Sequence, residues 1–99
     1  MADVRAFAFE TRRSAGYSLF KVQHGEEPED WKPMPTVGAG VREIRVHVEG
    51  EFRVFYVASF ADGVYVLHAF QKKTQKTRQA DIELGRARYA EVVKGRTRR

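Results

Sequence analysis

Hydrophobic and polar positions alternate most cleanly in the middle of the chain. From Val41 to Val48, Arg42, Ile44, Val46 and Val48 fall on one face of a period-two pattern, and Val41, Glu43, Arg45 and His47 on the other. This predicts a strand. After a short Glu49-Gly50 turn, Glu51–Phe60 is rich in aromatic and β-branched residues, as a central strand would be. Asp62-Gly63 is a strong hairpin signal, because a type I′ turn needs positive φ at both central positions. Val64–Phe70 then reads as a third strand, completing an antiparallel meander.

The flanks carry a longer period. From residue 3 to about 24 there is no Pro, and Asp3 is a suitable N-cap. Steps of three and four link Phe9, Arg13, Gly16/Tyr17 and Phe20, and also Ala8, Ala15, Leu19 and Val22. The expectation is one amphipathic helix, or two short ones, with Phe, Tyr and Leu turned inward and His24-Gly25 as the stop. Residues 25–40 read as a loop, with an acidic first part and Pro28, Pro33 and Pro35. Trp31, Met34 and Val37 would pin it to the core. Lys72–Arg78 is a cationic loop, and Gln79 to about Val93 a helix with Ile82, Tyr89 and Val93 on one face. Lys94–Arg99 is expected to be a flexible basic tail. The fold class is α+β within a single domain, 1–99. A helical N-terminal segment packs on a three- to four-stranded antiparallel sheet, and a helix follows.

Composition narrows the classes. With 99 residues and 42% apolar content, the chain suits one domain with a modest core. Cys is absent, so there is no disulfide framework and no thiolate metal site. No apolar run is long enough to span a bilayer, and the start lacks the order of a signal peptide. No membrane partner and a cytoplasmic location are expected.

Charge is unevenly spread. Residues 1–70 hold eight basic and ten acidic side chains, whereas residues 71–99 hold ten basic and three acidic. That asymmetry suggests an anionic partner, nucleic acid first. A solubilising helix face with a frayed basic tail explains the charge alone equally well.

The three histidines, His24, His47 and His68, stand in no metal-ligand spacing, and no metal or cofactor is expected. There is no GxSxG elbow and no glycine-rich phosphate loop before a basic helix. What remains is a set of cations on a sheet. If Phe52, Val54 and Tyr56 face the helices, Arg53 points the other way with Phe55 and Val57. An arginine among apolar strand residues is costly unless paired or solvent-facing, and Glu43 and Glu51 are its candidate partners. Arg45, Lys72 and Lys73 can converge on the same face. Such a face suits RNA: cations hold phosphates, and Phe70 or Tyr89 could stack on an unpaired base. RNA cleavage needs a base for the 2′-OH, stabilisation of the added charge and an acid for the leaving oxygen, with no metal in principle. His68 falls on the face of Phe70 and Lys72 and could serve as acid or base, or be a buried, hydrogen-bonded strand histidine.

The segment from Gly40 to Arg88 resembles the phage-related HigB subgroup of the RelE/ParE toxin superfamily. The resemblance rests on Gly40–Arg45 (GVREIR), Glu51–Tyr56 (EFRVFY), Val66–Thr77 (VLHAFQKKTQKT) and Asp81–Leu84 (DIEL), with support from Arg12–Gly25 and Lys32-Pro33-Met34. It implies a RelE/ParE-like fold and a type II toxin–antitoxin toxin. By the same resemblance the activity would be ribosome-dependent, metal-independent cleavage of mRNA that stops translation. The implied partners are the ribosome, mRNA and a helix-turn-helix antitoxin, with a homodimer or a toxin–antitoxin heterotetramer as assembly. The resemblance implies catalytic roles for Arg53, Lys72, Lys73 and His68. Substrate contacts would come from Arg45, Lys76, Arg78, Phe70 and Tyr89, while Arg86, Arg88 and Arg96–Arg99 would give general attraction to RNA. Members begin with a further strand, so the first strand is expected to be missing and a sheet edge exposed. The competing readings are a ParE-type gyrase inhibitor that cuts no RNA, and an inactive antitoxin-binding module.

Overall fold

A computed structural model of the chain describes residues 9–48, 50–60, 63–73 and 75–97. The elements are α1 (Phe9–Gln23), β1 (Trp31–Pro33), β2 (Val41–Val46), β3 (Phe52–Phe60), β4 (Gly63–Gln71) and α2 (Gln79–Thr97). The strands make one antiparallel sheet in the order β1-β2-β3-β4. The fold is α+β, with the meander the alternation predicts at its centre.

The two faces of the sheet carry separate cores. On one, Ala15 of α1 meets Ile44, Val46, Val54, Tyr56 and Ala69, with Leu19 and Val22 packed alongside. The other α1 stripe faces outward: Tyr17 and Phe20 are 61% and 52% exposed, which corrects their expected inward orientation. Both stripes are periodic, but a flat sheet can meet only one of them. The small Ala15 lets the helix approach closely. Thr11 ties the helix down further, donating from Oγ1 to the Val48 carbonyl at 3.2 Å. Gly25, at φ 78°, ends α1 as expected. Its N–H reaches the Val22 carbonyl at 3.1 Å and that of Glu26 the Lys21 carbonyl at 2.8 Å, the paired bonds of a Schellman stop. Asp3 and Ala8 lie outside the described residues.

Residues 25–40 are more than a loop. Trp31–Pro33 pairs with β2, placing Trp31 opposite Ile44, Lys32 opposite Glu43 and Pro33 opposite Arg42. Proline suits this outermost strand, where its missing N–H costs no ladder bond. Met34 and Val37 are buried as expected. The pairing covers the outer edge of β2, and any further strand ahead of α1 lies outside the described residues. Phe60 pairs with Gly63, so Gly63 already belongs to β4 rather than to the expected Asp62-Gly63 turn, and Asp62 lies outside the described residues.

The second core holds Met34, Val37, Val41, Phe55, Val57, Leu67 and Phe70, covered by Ile82, Tyr89 and Val92 of α2. Between the pairs Phe55–His68 and Tyr56–Val66 the register shifts, leaving Leu67 as the extra residue of a bulge. The bulge lets both Leu67 and His68 lie beneath α2. A Cβ at Gly85 would fall 2.8 Å from the Phe55 ring, so this glycine sets the closeness of α2. The helix continues to Thr97, into the stretch expected as a flexible tail. Once a helix is nucleated, each added residue gains a backbone bond, so basic residues extend it without a core of their own. No helix among the described residues is long and apolar enough to cross a membrane.

Candidate nucleic-acid interface

The register brings the cations together. Arg45 on β2 lies directly opposite Arg53 on β3. Like charges at such positions repel and require an anion between them. Glu43, two residues from Arg45 and on the same face, supplies it. Its carboxylate is fully buried, and Oε1 lies 3.4 Å from Arg53 Nε, 3.5 Å from Arg45 Nε and 3.9 Å from Lys32 Nζ. The second oxygen, Oε2, is buried without a hydrogen-bond partner among the described residues. Arg53 is itself 6% exposed. It also donates from a terminal nitrogen to the Phe52 carbonyl at 3.1 Å and reaches Glu51 Oε2 at 3.5 Å. Both partners expected for Arg53 are thus present.

A carboxylate chain surrounds this pair. Asp30, at the entry to β1, lies 3.8 Å from Arg45 and accepts from His47 Nε2 at 2.6 Å. The other ring nitrogen of His47 bonds Glu51, which returns to Arg53. Asp30, Arg45, Glu43, Arg53, Glu51 and His47 therefore close a ring of alternating sign. The hydrogen bond that His47 donates to Asp30 raises the His47 pKa above its usual value; partial desolvation opposes this and Glu51 adds to it. Desolvation pushes Glu51 upward, but His47 and then Arg53 outweigh it and hold the carboxyl below its ordinary value.

Arg53 and Glu51 open onto a pocket of about 510 Å³, completed by Lys72, Lys73 and Gln75. The backbone N–H of Lys72 donates to the Glu51 carbonyl at 2.7 Å, fixing the chain as it leaves β4 beside Arg53. Desolvation lowers the Lys72 pKa; Arg53 lowers it further and Glu43 partly compensates. A comparable cleft near α1 is lined by Glu26 and Glu27 as well as Arg42, a poorer match for an anion.

Of the expected site residues, Arg53, Lys72 and Lys73 meet at this pocket, and Arg45 joins them through Glu43. Lys76 is exposed in the loop that follows. Arg78 accepts the first amide bonds of α2 on its carbonyl and reaches Asp81 at 3.6 Å, working at the start of the helix. His68 is buried, with Nε2 2.8 Å from Asp81 Oδ1 and its ring stacked on Phe70 at 4.8 Å. It joins β4 to α2 beneath the second core. Phe70 is 8% exposed, with His68 stacked on its ring and Phe55 packed edge-on, so the ring is covered by the core. Tyr89 is partly buried against the same core and donates to the Ala39 carbonyl at 2.9 Å. Burial of aromatic area in a small core takes the Phe70 ring, while the Tyr89 ring stays partly open to solvent. Arg88 is likewise structural, donating to the carbonyl of the bulged Leu67 at 3.0 Å.

Sequence reasoning missed Asp30 and His47. His47 was legible as the next residue on the face of Glu43 and Arg45. Asp30 was not, because only the pairing of β1 brings it there. Among the described residues, no group of three His, Asp or Glu is placed to hold a metal ion.

The family model described as "Phage derived protein Gp49-like (DUF891)" matches residues 2–90. No curated protein and no solved structure matches the chain.

Proposed function

The chain belongs to the phage-derived Gp49-like family, a RelE/ParE-like toxin family, and we propose that it is a type II toxin of the HigB kind that cleaves mRNA on the ribosome. The observation that carries this reading is the meeting of Arg53, Lys72 and Lys73 at one open pocket backed by the buried Glu43. An apolar core would fold without that arrangement. A polyanion gives it a use.

In this reading the RNA backbone enters the pocket and Arg53 grips the scissile phosphate. The adjacent 2′-OH attacks phosphorus, forming a cyclic phosphate and expelling the 5′-oxygen. Arg53 and Lys73 stabilise the charge that develops on the phosphoryl oxygens. Lys72, with its pKa lowered by desolvation, exchanges a proton more readily than an ordinary lysine. Arg45, Lys76 and Arg78 extend the contact along the strand. His68 acts as a positioning residue, holding β4 against α2 and so the exit of Lys72 and Lys73. The proposed partners are the ribosome, mRNA and a helix-turn-helix antitoxin, in the cytoplasm.

The test is induction of the chain in cells, with primer extension on mRNA and a supercoiling assay run in parallel. Wild type is expected to arrest growth and produce discrete mRNA ends. A folded Lys72→Ala/Lys73→Ala double variant is expected to do neither, since both side chains leave a loop without disturbing a core. Arrest with intact mRNA and blocked supercoiling overturns the nuclease reading in favour of a gyrase inhibitor. No arrest by wild type points to a module that only binds an antitoxin.

A further inference from the structure

Among the described residues, the Arg53 guanidinium meets internal partners: Glu43, Glu51 and the Phe52 carbonyl. The two carboxylates differ in freedom. Glu43 is sealed in the sheet, whereas the Glu51 side chain is 48% exposed at the pocket mouth. A single oxygen of Glu51, Oε2, serves both Arg53 and His47. It can leave one and keep the other.

His47 meets a carboxylate on each ring nitrogen, Asp30 on Nε2 and Glu51 on Nδ1. Only the imidazolium donates from both nitrogens; the neutral ring must turn a lone pair toward one carboxylate. The charged groups around it come from three segments. Asp30 precedes β1, Arg45 on β2 backs Asp30, and Glu51 and Arg53 flank Phe52 at the start of β3, Glu51 just before the strand and Arg53 within it. The backbone of Lys72 holds Glu51 from the end of β4.

We propose that Glu51 is an internal anion competing with an RNA phosphodiester for Arg53, and that protonated His47 is the seat that withdraws it. The pair then positions Arg53: with His47 charged, Glu51 stays on the imidazolium as phosphate enters. When His47 loses its proton, Asp30 still has Arg45, and Glu51 turns to Arg53 and closes the pocket. Phosphodiester affinity therefore falls as pH rises through the His47 value. This inference rests on the pocket being the RNA-phosphate site, and it adds the control of that site.

The probe is a 2′-O-methyl RNA oligonucleotide, which has no free 2′-OH to cleave and no phosphate that titrates near neutrality. Its binding to the full chain is followed by fluorescence anisotropy from about pH 5.5 to 8.5, the range in which histidine changes charge. Wild type is expected to weaken roughly tenfold across the range, the scale of one charge-assisted hydrogen bond. Glu51→Gln, which keeps the shape and removes the charge, is expected to bind tightly throughout with no step. His47→Gln is expected to stay at the weak level. A wild-type step that persists in both folded variants, or its absence from wild type, overturns the switch. Lys72→Ala/Lys73→Ala separates the two claims: if it weakens binding while Glu51→Gln has no effect, the pocket stands and the switch fails. If it changes nothing, the pocket assignment fails with it.

Discussion

The two faces of the sheet are built from the same strands and spend them differently. On the α1 face, Ile44, Val46, Val54 and Tyr56 make a core of apolar side chains. On the α2 face, Phe55, Val57 and Phe70 do the same beneath the helix, but the other end of that face holds Glu43, Arg45 and Arg53. Burial of apolar area stabilises roughly in proportion to the area removed from water. A buried ion pair loses most of its attraction to desolvation and is weak evidence for stability. The first face thus holds the fold together. The second keeps an arrangement that stability alone does not favour, and there the pocket opens.

The largest effect expected from testing this contrast is on the apolar face. Ile44→Ala should cost about 3 to 4 kcal/mol in urea unfolding, from lost burial and the cavity left behind. The proposed RNA cleavage, measured per folded molecule, should be unchanged. A clear loss of specific activity would mean that the faces are coupled.

Next is the charged face. Glu43→Gln alone should cost roughly 3 kcal/mol, because it leaves Arg53 buried with only the half-exposed Glu51 as a charged partner. Replacing both partners, as Glu43→Leu/Arg53→Met, should bring stability back to within about 1 kcal/mol of wild type while abolishing the proposed cleavage. A double variant as unstable as the single one would show that the ion pair holds the sheet together after all.

The smallest effect is the pH dependence of stability. The folded-state pKa of His47 is raised, so its contribution is fully present below the unfolded value and is lost as pH rises through the folded one. The urea midpoint should drift down over that window in wild type and stay flat in His47→Gln. The drift should be modest, because the His47 side chain is 51% exposed and its partners are screened by water. Glu51, held below its ordinary value, acts in the opposite window, its contribution being lost as pH falls through the folded value.

Much of this was legible in the chain itself. The alternation of Val41–Val48 placed Glu43, Arg45 and His47 on one face and Ile44 and Val46 on the other, and the sheet keeps that division. The same reasoning put Arg53 with Phe55 and Val57 and named Glu43 and Glu51 as its partners. Lys72 and Lys73 were expected beside the central strand, and the pocket holds them there. Phe70 reads as a stacking platform from the chain alone because a sequence shows aromatic type and face but not how much of a ring its neighbours cover.

Periodicity is a local property, so the chain alone establishes α1, the two-faced central strands β2–β4 and the cationic segment that follows them. Packing is not local. Tertiary structure alone decided which stripe of α1 turns inward, because both stripes fit the helical period and only the one carrying Ala15 fits against the sheet. It decided that Trp31–Pro33 becomes a strand, since so short a segment gains its order from the β2 edge. It also closed the ring from Asp30 to His47, where residues far apart in the chain meet only once the register of three strands is set.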